Sequence, residues 1–218
     1  NSIALFDPSQ MPMPDYLATG FEPNIKPRET VPTLTYSGKM WTVIINGEKM
    51  PITRRDEDGD QVPVSTIRVM VVNYNPDRGR SYYTGAFDPN NPAPPACWSD
   101  DGVTPHISVQ DKQAKKCGDC AWSRKGSKVN ELGTQTTACS QHRMLAVKLF
   151  KPDELPVLRL KLAVTSDWDK NQSVPGFYAY QQFLQFLTQR GVNNTAQVVT
   201  KLRFDPNPAI TYPKVLFE

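Results

Sequence analysis

Residues 97–139 read CWSDDGVTPHISVQDKQAKKCGDCAWSRKGSKVNELGTQTTAC, and all four cysteines of the 218-residue chain lie in this stretch. Nineteen residues separate Cys97 from Cys117, a Cys-Gly-Asp-Cys turn ends at Cys120, and eighteen more residues precede Cys139. A Cys-x-x-Cys turn lets two sulfurs approach one point, and two distant thiolates can complete the tetrahedron that structural zinc prefers. The spacing therefore predicts one structural zinc ion per chain, held by Cys97, Cys117, Cys120 and Cys139.

Other interpretations of the cysteines remain open at this point. His142 follows Cys139 in a Cys-x-x-His spacing and could replace Cys97, although a leftover thiolate would then be reactive and unexplained. Four cysteines can also form two disulfides in three ways, or Cys117 and Cys120 can form a redox pair. An iron–sulfur cluster uses the same four thiolates. A catalytic zinc is disfavoured, because four protein ligands leave no open coordination position.

Composition indicates a soluble globular protein, with 39% hydrophobic and 22% charged residues and no run of eighteen apolar residues. The length suits one domain that carries an insertion. Six prolines within residues 1–32 predict an extended arm, because proline removes backbone donors. We therefore expect an arm at 1–32 and a domain at 33–218, interrupted by the cysteine insert at 97–139.

Charge is unevenly distributed along the chain. The net charge is only +3, but residues 97–150 hold eight Lys or Arg against five Asp or Glu. The excess positive charge thus lies in and just after the insert. This balance is compatible with a solvated surface around a small zinc module or with a patch that faces phosphates.

Strand patterns dominate the rest of the chain. Asn46-Gly47 between apolar runs predicts a hairpin over residues 40–53, because both residues tolerate the positive φ of a type I′ turn. A second hairpin is predicted from a strand at 64–75, a turn at Asn75-Pro76-Asp77 and a return strand at 80–87. Further strands are predicted at 144–150, 157–165, 196–204 and 210–217.

One helix is predicted in the C-terminal half. Ser173 is its expected cap, Pro175 lies in its expected first turn, and Gly191 is its expected stop. Between them, apolar side chains recur at helical spacing on one stripe: Phe177, Tyr180, Phe183, Leu184 and Leu187. We expect this stripe to pack on the sheet.

No motif for catalysis is present: the sequence has no Gly-rich phosphate loop, no Gly-x-Ser-x-Gly and no His-Glu-x-x-His. Instead, aromatic and basic residues are mixed on the predicted strands and in the insert. Aromatic rings stack on unpaired bases while Lys and Arg neutralise phosphates, and a β-barrel face with both is typical of single-strand binding. Candidate DNA-binding residues are Arg54, Arg55, Tyr74, Arg78, Arg80, Tyr82, Tyr83, Trp98, Lys115, Lys116, Trp122, Arg124, Lys125 and Lys128.

Several of these motifs together resemble a known family. The run from Cys97 to Pro105, the Cys117-x-x-Cys120 pair with Trp122 and Gly126, and Cys139 before the strand 143–147 are similar to phage-encoded single-stranded DNA-binding proteins. In that family a cysteine insert interrupts an OB-fold barrel. The helix near Tyr178 and the segment 198–205 resemble the same proteins, so the likeness covers about residues 65–217.

The resemblance implies a mainly β, OB-fold-type barrel that binds single-stranded DNA without strong sequence preference and catalyses nothing. It also implies a role in phage DNA replication or recombination, in the cytoplasm of the infected bacterium. Replication or recombination proteins are then expected partners, self-association is compatible with this role, and no membrane is involved. Two rival functions are a zinc-stabilised protein–protein adaptor of phage origin and a metal-dependent nuclease.

Overall fold

The computed structural model describes residues 31–85, 93–130, 133–152, 154–169 and 174–218. Within these ranges the chain is mainly β, with a curled half-barrel sheet and few helices, which confirms the predicted β class. The arm predicted for 1–32 lies outside the described residues, apart from 31 and 32. In the described ranges, no helix is long and apolar enough to cross a bilayer.

The strands and helices have the following bounds. The strands are β1 Thr33–Thr35, β2 Thr42–Ile45, β3 Glu48–Pro51, β4 Thr53–Arg55, β5 Gln61–Pro63, β6 Thr66–Tyr82, β7 Cys97–Ser99, β8 Lys128–Val129, β9 Gln135–Thr136, β10 Cys139–Leu149, β11 Leu158–Ala163, β12 Thr200–Phe204 and β13 Val215–Phe217. The α-helices are α1 Val164–Asp167 and α2 Tyr180–Gln189. Short 3₁₀ turns lie at Ser37–Lys39, Ala121–Ser123 and Thr195–Gln197.

The main sheet has the strand order β13-β12-β6-β10-β11-β1-β2-β3, and β7 pairs with the end of β6. The pairing of β1 with β11 is parallel, and the other pairings in this sheet are antiparallel. Two small sheets, β4-β5 and β8-β9, stand apart from it. The long strand β6 is thus central, because β10 and β12 both pair with it.

The first predicted hairpin is confirmed. Strands β2 and β3 pair from Thr42 opposite Pro51 to Ile45 opposite Glu48. Asn46 and Gly47 connect them with φ values of 52° and 86°, as a type I′ turn requires. The closing strands β12 and β13 are also present, although each begins later than the sequence indicates.

The second predicted hairpin is wrong, because β6 runs without a turn from Thr66 to Tyr82. Residues 75–77 form a bulge in this strand, where the pairing jumps from Tyr74 opposite Leu145 to Arg78 opposite Arg143. The Asn75 side chain accepts a hydrogen bond from the Asp77 amide, and the Arg143 guanidinium donates to the carbonyl oxygens of Asn75 and Pro76 at 2.7 and 2.8 Å. Proline is tolerated at such a bulge, where no ladder hydrogen bond is required of it.

The predicted helix exists but begins later than expected. Helix α2 starts at Tyr180, where the Gln182 side chain accepts a hydrogen bond from the Ala179 amide, while the expected cap Ser173 lies outside the described residues. Its end is confirmed: Gly191 has φ 76°, and the amides of Gly191 and Val192 donate to the last turn of the helix. Gly at this position satisfies the helix carbonyls without a Cβ clash.

Two separate groups of apolar side chains stabilise the fold. The larger one lies inside the curled sheet, where Trp41 is fully buried and stacks on Phe204 at 4.8 Å, and where the apolar side of α2 packs. Burial of each large side chain contributes about 1.5–3 kcal/mol. The smaller group contains Tyr82, Val109 and two of the cysteines, so the insert has a core of its own.

Candidate nucleic-acid interface and cysteine cluster

Two of the four cysteines belong to the main sheet. Tyr82, the last residue of β6, pairs with Cys97 of β7 on one side and with Cys139 of β10 on the other. Cys117 and Cys120 come from the loop of the insert, which is tied down by a hydrogen bond from the Cys117 amide to the Val103 carbonyl at 2.8 Å. The sheet therefore presents two sulfurs and the loop brings the other two to them.

All four cysteines are buried and unpaired by disulfides, and they border one cavity of about 10 Å³. His142 does not border that cavity, because it lies three residues after Cys139 on β10 and its side chain therefore lies on the opposite face of the sheet. In the part of the chain that the structure describes, no group of three or more Cys, His, Asp or Glu has the geometry of a metal centre. The donor chemistry of four thiols on one cavity nevertheless fits the thiolate site that zinc favours.

The surroundings of the thiols act on their ionisation in opposite directions. Burial raises the pKa of Cys117 and of Cys139. The Ser99 hydroxyl and the Arg80 guanidinium lower the pKa of Cys117, while Arg80 and the Ser123 hydroxyl lower that of Cys139. Arg80, a candidate DNA-binding residue, is thus placed to compensate thiolate charge at the cluster.

The candidate aromatic residues of this region differ in exposure. Tyr82 is buried and stacks on Trp122 at 4.9 Å, so its ring offers no open face to a base. Trp122 is partly exposed, and its indole N–H donates to Gln113. Trp98 stacks on His106 at 5.5 Å. Burial therefore argues against Tyr82 as a DNA-binding residue, whereas Trp122 still presents surface to solvent.

The Arg78 side chain takes part in a hydrogen-bond network within the protein. Its Nε donates to Asp167 at 2.7 Å, and the buried Arg143 donates to the same carboxylate at 2.6 Å. Gln181 of α2 donates to Asp167 as well. This network joins β6, β10 and both helices, which leaves Arg78 little freedom to follow a phosphate.

The remaining candidate cations are exposed but dispersed. Arg54 and Arg55 lie on β4, in a small sheet separate from the main one. The insert carries five exposed candidates, which are Lys115, Lys116, Arg124, Lys125 and Lys128. The structure therefore does not join Arg54 and Arg55 to the insert through any strand pairing of the described residues.

The most uniform positive surface was not among the predicted sites. Strands β6, β10, β11 and β12 contain nine Lys or Arg and a single acid, Asp77 in the bulge. Six of these cations alternate with buried residues and share the outer side of the sheet, as the pairings of Lys201 with Arg68 and of Ala146 with Arg159 require. We call this set the outer basic face, and its members are Arg68, Lys148, Arg159, Lys161, Lys201 and Arg203.

A sequence signal for this face does exist. Residues 158–162 read Leu-Arg-Leu-Lys-Leu and residues 200–204 read Thr-Lys-Leu-Arg-Phe, so a cation stands at every second position. In a strand with one buried side, that period places all the cations on the other side. The alternation is visible in the sequence. The sequence does not show that β11, β10, β6 and β12 are neighbours in the sheet.

One candidate tyrosine adjoins the outer basic face. Tyr83 is 44% exposed, and the Lys161 ammonium lies 5.9 Å from the centre of its ring. Burial lowers the pKa of Lys161, as does the charge of Arg159. Tyr74 instead pairs with the inward residue Leu145 and contacts Tyr180 edge-on at 5.7 Å. Tyr83 is therefore the better placed of the two for a ligand on the outer basic face.

No protein-family model, curated protein or solved structure matches this chain. The resemblance to phage single-stranded DNA-binding proteins therefore depends on the sequence motifs alone. The observations that bear on function are the outer basic face and the cysteine cluster at the end of β6.

Proposed function

We propose that this protein binds single-stranded DNA on the outer basic face of an OB-type barrel. The observation that carries the proposal is the alternation of cations on four adjacent strands, which contain one acid, Asp77 in the β6 bulge. Of these cations, Lys201 forms an ion pair with Glu218 at 2.8 Å. Lys and Arg side chains on one face attract a phosphate backbone and give affinity without sequence preference.

The strand order supports an OB-type assignment. Strand β6 would be the first barrel strand, since it pairs with both β10 and β12, and β10 and β11 would be the second and third. Helix α2 would then lie between the third and fourth strands, and β1, which is parallel to β11 but precedes β6 in the chain, would take the fifth position. In OB-folds the face of strands two and three and the loop between strands one and two bind oligonucleotides. Here these parts are β10, β11 and the cysteine insert.

Aromatic rings would supply the stacking part of the affinity. Tyr83 lies under Lys161 at one end of the face, and Trp122 is exposed on the insert. Stacking of a base on such a ring contributes about 1–3 kcal/mol and requires an unpaired base. The proposal therefore includes a preference for single strands over duplex DNA.

Cys97, Cys117, Cys120 and Cys139 would hold a structural zinc ion, which would fix the insert loop against β6. This part of the proposal is supported by the shared cavity of the four thiols and by Arg80 beside them. With four protein ligands, no position would remain for water or substrate. Cys117 and Cys120, which lie outside the sheet, would depend most on the ion for their place.

The biological role we propose follows from the family resemblance. It is protection or presentation of single strands during phage replication or recombination, in the cytoplasm of the infected bacterium. Replication or recombination proteins would be the partners.

Anisotropy titration of labelled oligo-dT at several salt concentrations tests the proposal. Binding should exceed that of the matched duplex and should fall with salt at a slope of about −0.7 per phosphate neutralised. Arg159→Glu should weaken binding and make the slope shallower, while Lys49→Glu, an equal charge change at an exposed residue of β3, should do neither. Equal loss in both variants would reject the outer basic face as the binding surface, and equal affinity for duplex would reject the preference for single strands.

A further inference from the structure

A trough crosses the outer basic face. It has a volume of about 500 Å³ and follows the outer side of β10, between the bulged part of β6 and the beginning of β11. Its floor is formed by the outward residues of β10, which are His142, Met144 and Ala146. Arg159 of β11 and Asn73 of β6 lie on either side, since each pairs with Ala146. A cavity of this size is in the range of small-molecule sites.

Two features of the sequence leave space for the trough on this face. The bulge at residues 75–77 displaces β6 from regular pairing with β10. Gly79, opposite His142, contributes no side chain: a Cβ there would lie 2.7 Å from the imidazole Nε2 and 2.8 Å from the Ser99 carbonyl oxygen. Glycine is therefore required for the imidazole to lie along the sheet.

The lining combines an apolar floor with a few polar groups. Met144 and Ala146 are apolar, and Arg159 supplies a cation at the rim. His142 is 7% exposed, and its Nδ1 has no hydrogen-bond partner among the described residues. Asp100 is the acid that borders the trough, and its carboxylate lies 3.7 Å from the His106 imidazole.

We propose that the trough is a subsite for one nucleobase of the bound strand, with the ring against Met144 and Ala146 and the adjacent phosphate at Arg159. This inference rests on the proposed function. A flat, partly apolar ring with polar edges fits a floor of this kind beside the His142 imidazole and the Asn73 side chain. Arg159 on the β11 side of the trough favours a ligand that carries a phosphate. A paired base in a duplex could not enter.

The proposal predicts that changes in the trough alter affinity only for strands that carry bases. Ala146→Phe should fill the trough, and Gln185→Phe places the same ring on the exposed side of α2, away from the outer basic face. Each variant is titrated with two labelled strands of equal length and charge, one oligo-dT and one in which every base is replaced by an abasic tetrahydrofuran unit. We expect Ala146→Phe to weaken binding of oligo-dT about tenfold, the magnitude of one lost stacking contact, and to leave binding of the abasic strand unchanged.

Gln185→Phe should change neither affinity. Should Ala146→Phe fold poorly, Met144→Gln gives a second test, because it removes apolar floor without added volume and should also weaken binding of oligo-dT alone. If the native protein binds neither strand, single-strand binding itself is refuted. If it binds oligo-dT but both phenylalanine variants lose affinity alike, or the abasic strand loses as much as oligo-dT, binding stands and the nucleobase subsite is rejected.

Discussion

The ring of Tyr82 lies flat against the indole of Trp122, with centroids 4.9 Å apart and an interplanar angle of 13°. Tyr82 ends the central barrel strand, whereas Trp122 follows the Cys117-x-x-Cys120 turn of the insert. This contact joins the loop half of the cysteine cluster to the sheet half. It gives the two neighbouring tyrosines, Tyr82 and Tyr83, different expected roles.

Tyr82→Ala should destabilise the protein, because it removes a buried ring between two cysteine-bearing strands. We expect the free energy of unfolding to fall by about 3–5 kcal/mol, as for other large-to-small changes in a core. Urea unfolding followed by circular dichroism measures it. An unchanged unfolding midpoint would mean that the ring is not part of a core.

Tyr83→Ala should affect binding and not stability, the reverse of Tyr82→Ala. The side chain is half exposed beside Lys161, so we expect binding of oligo-dT to weaken by about 1–3 kcal/mol while the melting temperature stays within a degree or two. Anisotropy titration and differential scanning fluorimetry report the two quantities. Tyr83→Phe is the control and should keep most of the affinity, because it preserves the ring.

Purified protein should contain about one zinc ion per chain, since four buried thiols share one cavity. Elemental analysis after preparation without chelators gives the metal content, and a thiol assay in denaturant gives the number of reduced cysteines. Iron in place of zinc would identify a cluster. Absence of metal together with absence of reactive thiols would identify disulfides.

Cys120→Ser should destabilise the insert and leave the main sheet folded. The barrel core and the insert core are separate groups of buried residues, so most of the β-sheet signal in circular dichroism should persist. Affinity for single strands should fall, and it should depend less steeply on salt concentration, because exposed Lys and Arg side chains lie on the insert. Global unfolding would show that the metal stabilises the entire fold, and unchanged affinity would show that the insert charge plays no part in binding.

Arg143→Ala should be among the most destabilising changes of a charged residue. Among the described residues, it leaves the buried Asp167 carboxylate with Arg78 and Gln181 as its side-chain partners, and it removes the donors to the bulge carbonyls. Breaking a buried ion pair from one side typically costs about 3–5 kcal/mol. Arg78→Ala is the control and should cost less, because that side chain is partly exposed. Equal costs would contradict the role assigned to Arg143.

The bulge also shows where prediction from sequence failed. Asn75-Pro76-Asp77 has the composition of a turn, and locally it is one, since Asn75 bonds to Asp77. The strand continues through it because Arg143, far along the chain, binds the two carbonyl groups that the bulge leaves unpaired. Such a contact depends on which strands are neighbours, and no local pattern contains that information.

Other features were predictable because their causes are local. The Asn46-Gly47 hairpin and the stop of α2 at Gly191 follow from the backbone freedom of single residues. Burial of Tyr82 and exposure of Tyr83 were not predictable in this way, because Trp122 decides which ring is covered. The alternating cations of β11 and β12 are visible in the sequence. That they share one face is known only from the strand order of the sheet.

The pairing of Tyr82 with Cys139 has a consequence for how the chain could change in evolution. The chain between Tyr82 of β6 and Cys139 of β10, which includes β7 and the insert, leaves one strand and returns on its immediate neighbour. With respect to β6 and β10 it is therefore a single long hairpin loop. The entropy of closing such a loop rises only by about 0.6 kcal/mol for each doubling of its length. Relatives of this protein could therefore lengthen, shorten or exchange the excursion with little effect on the barrel, and a cysteine-free version closed by a short turn would be a natural minimal form of the fold.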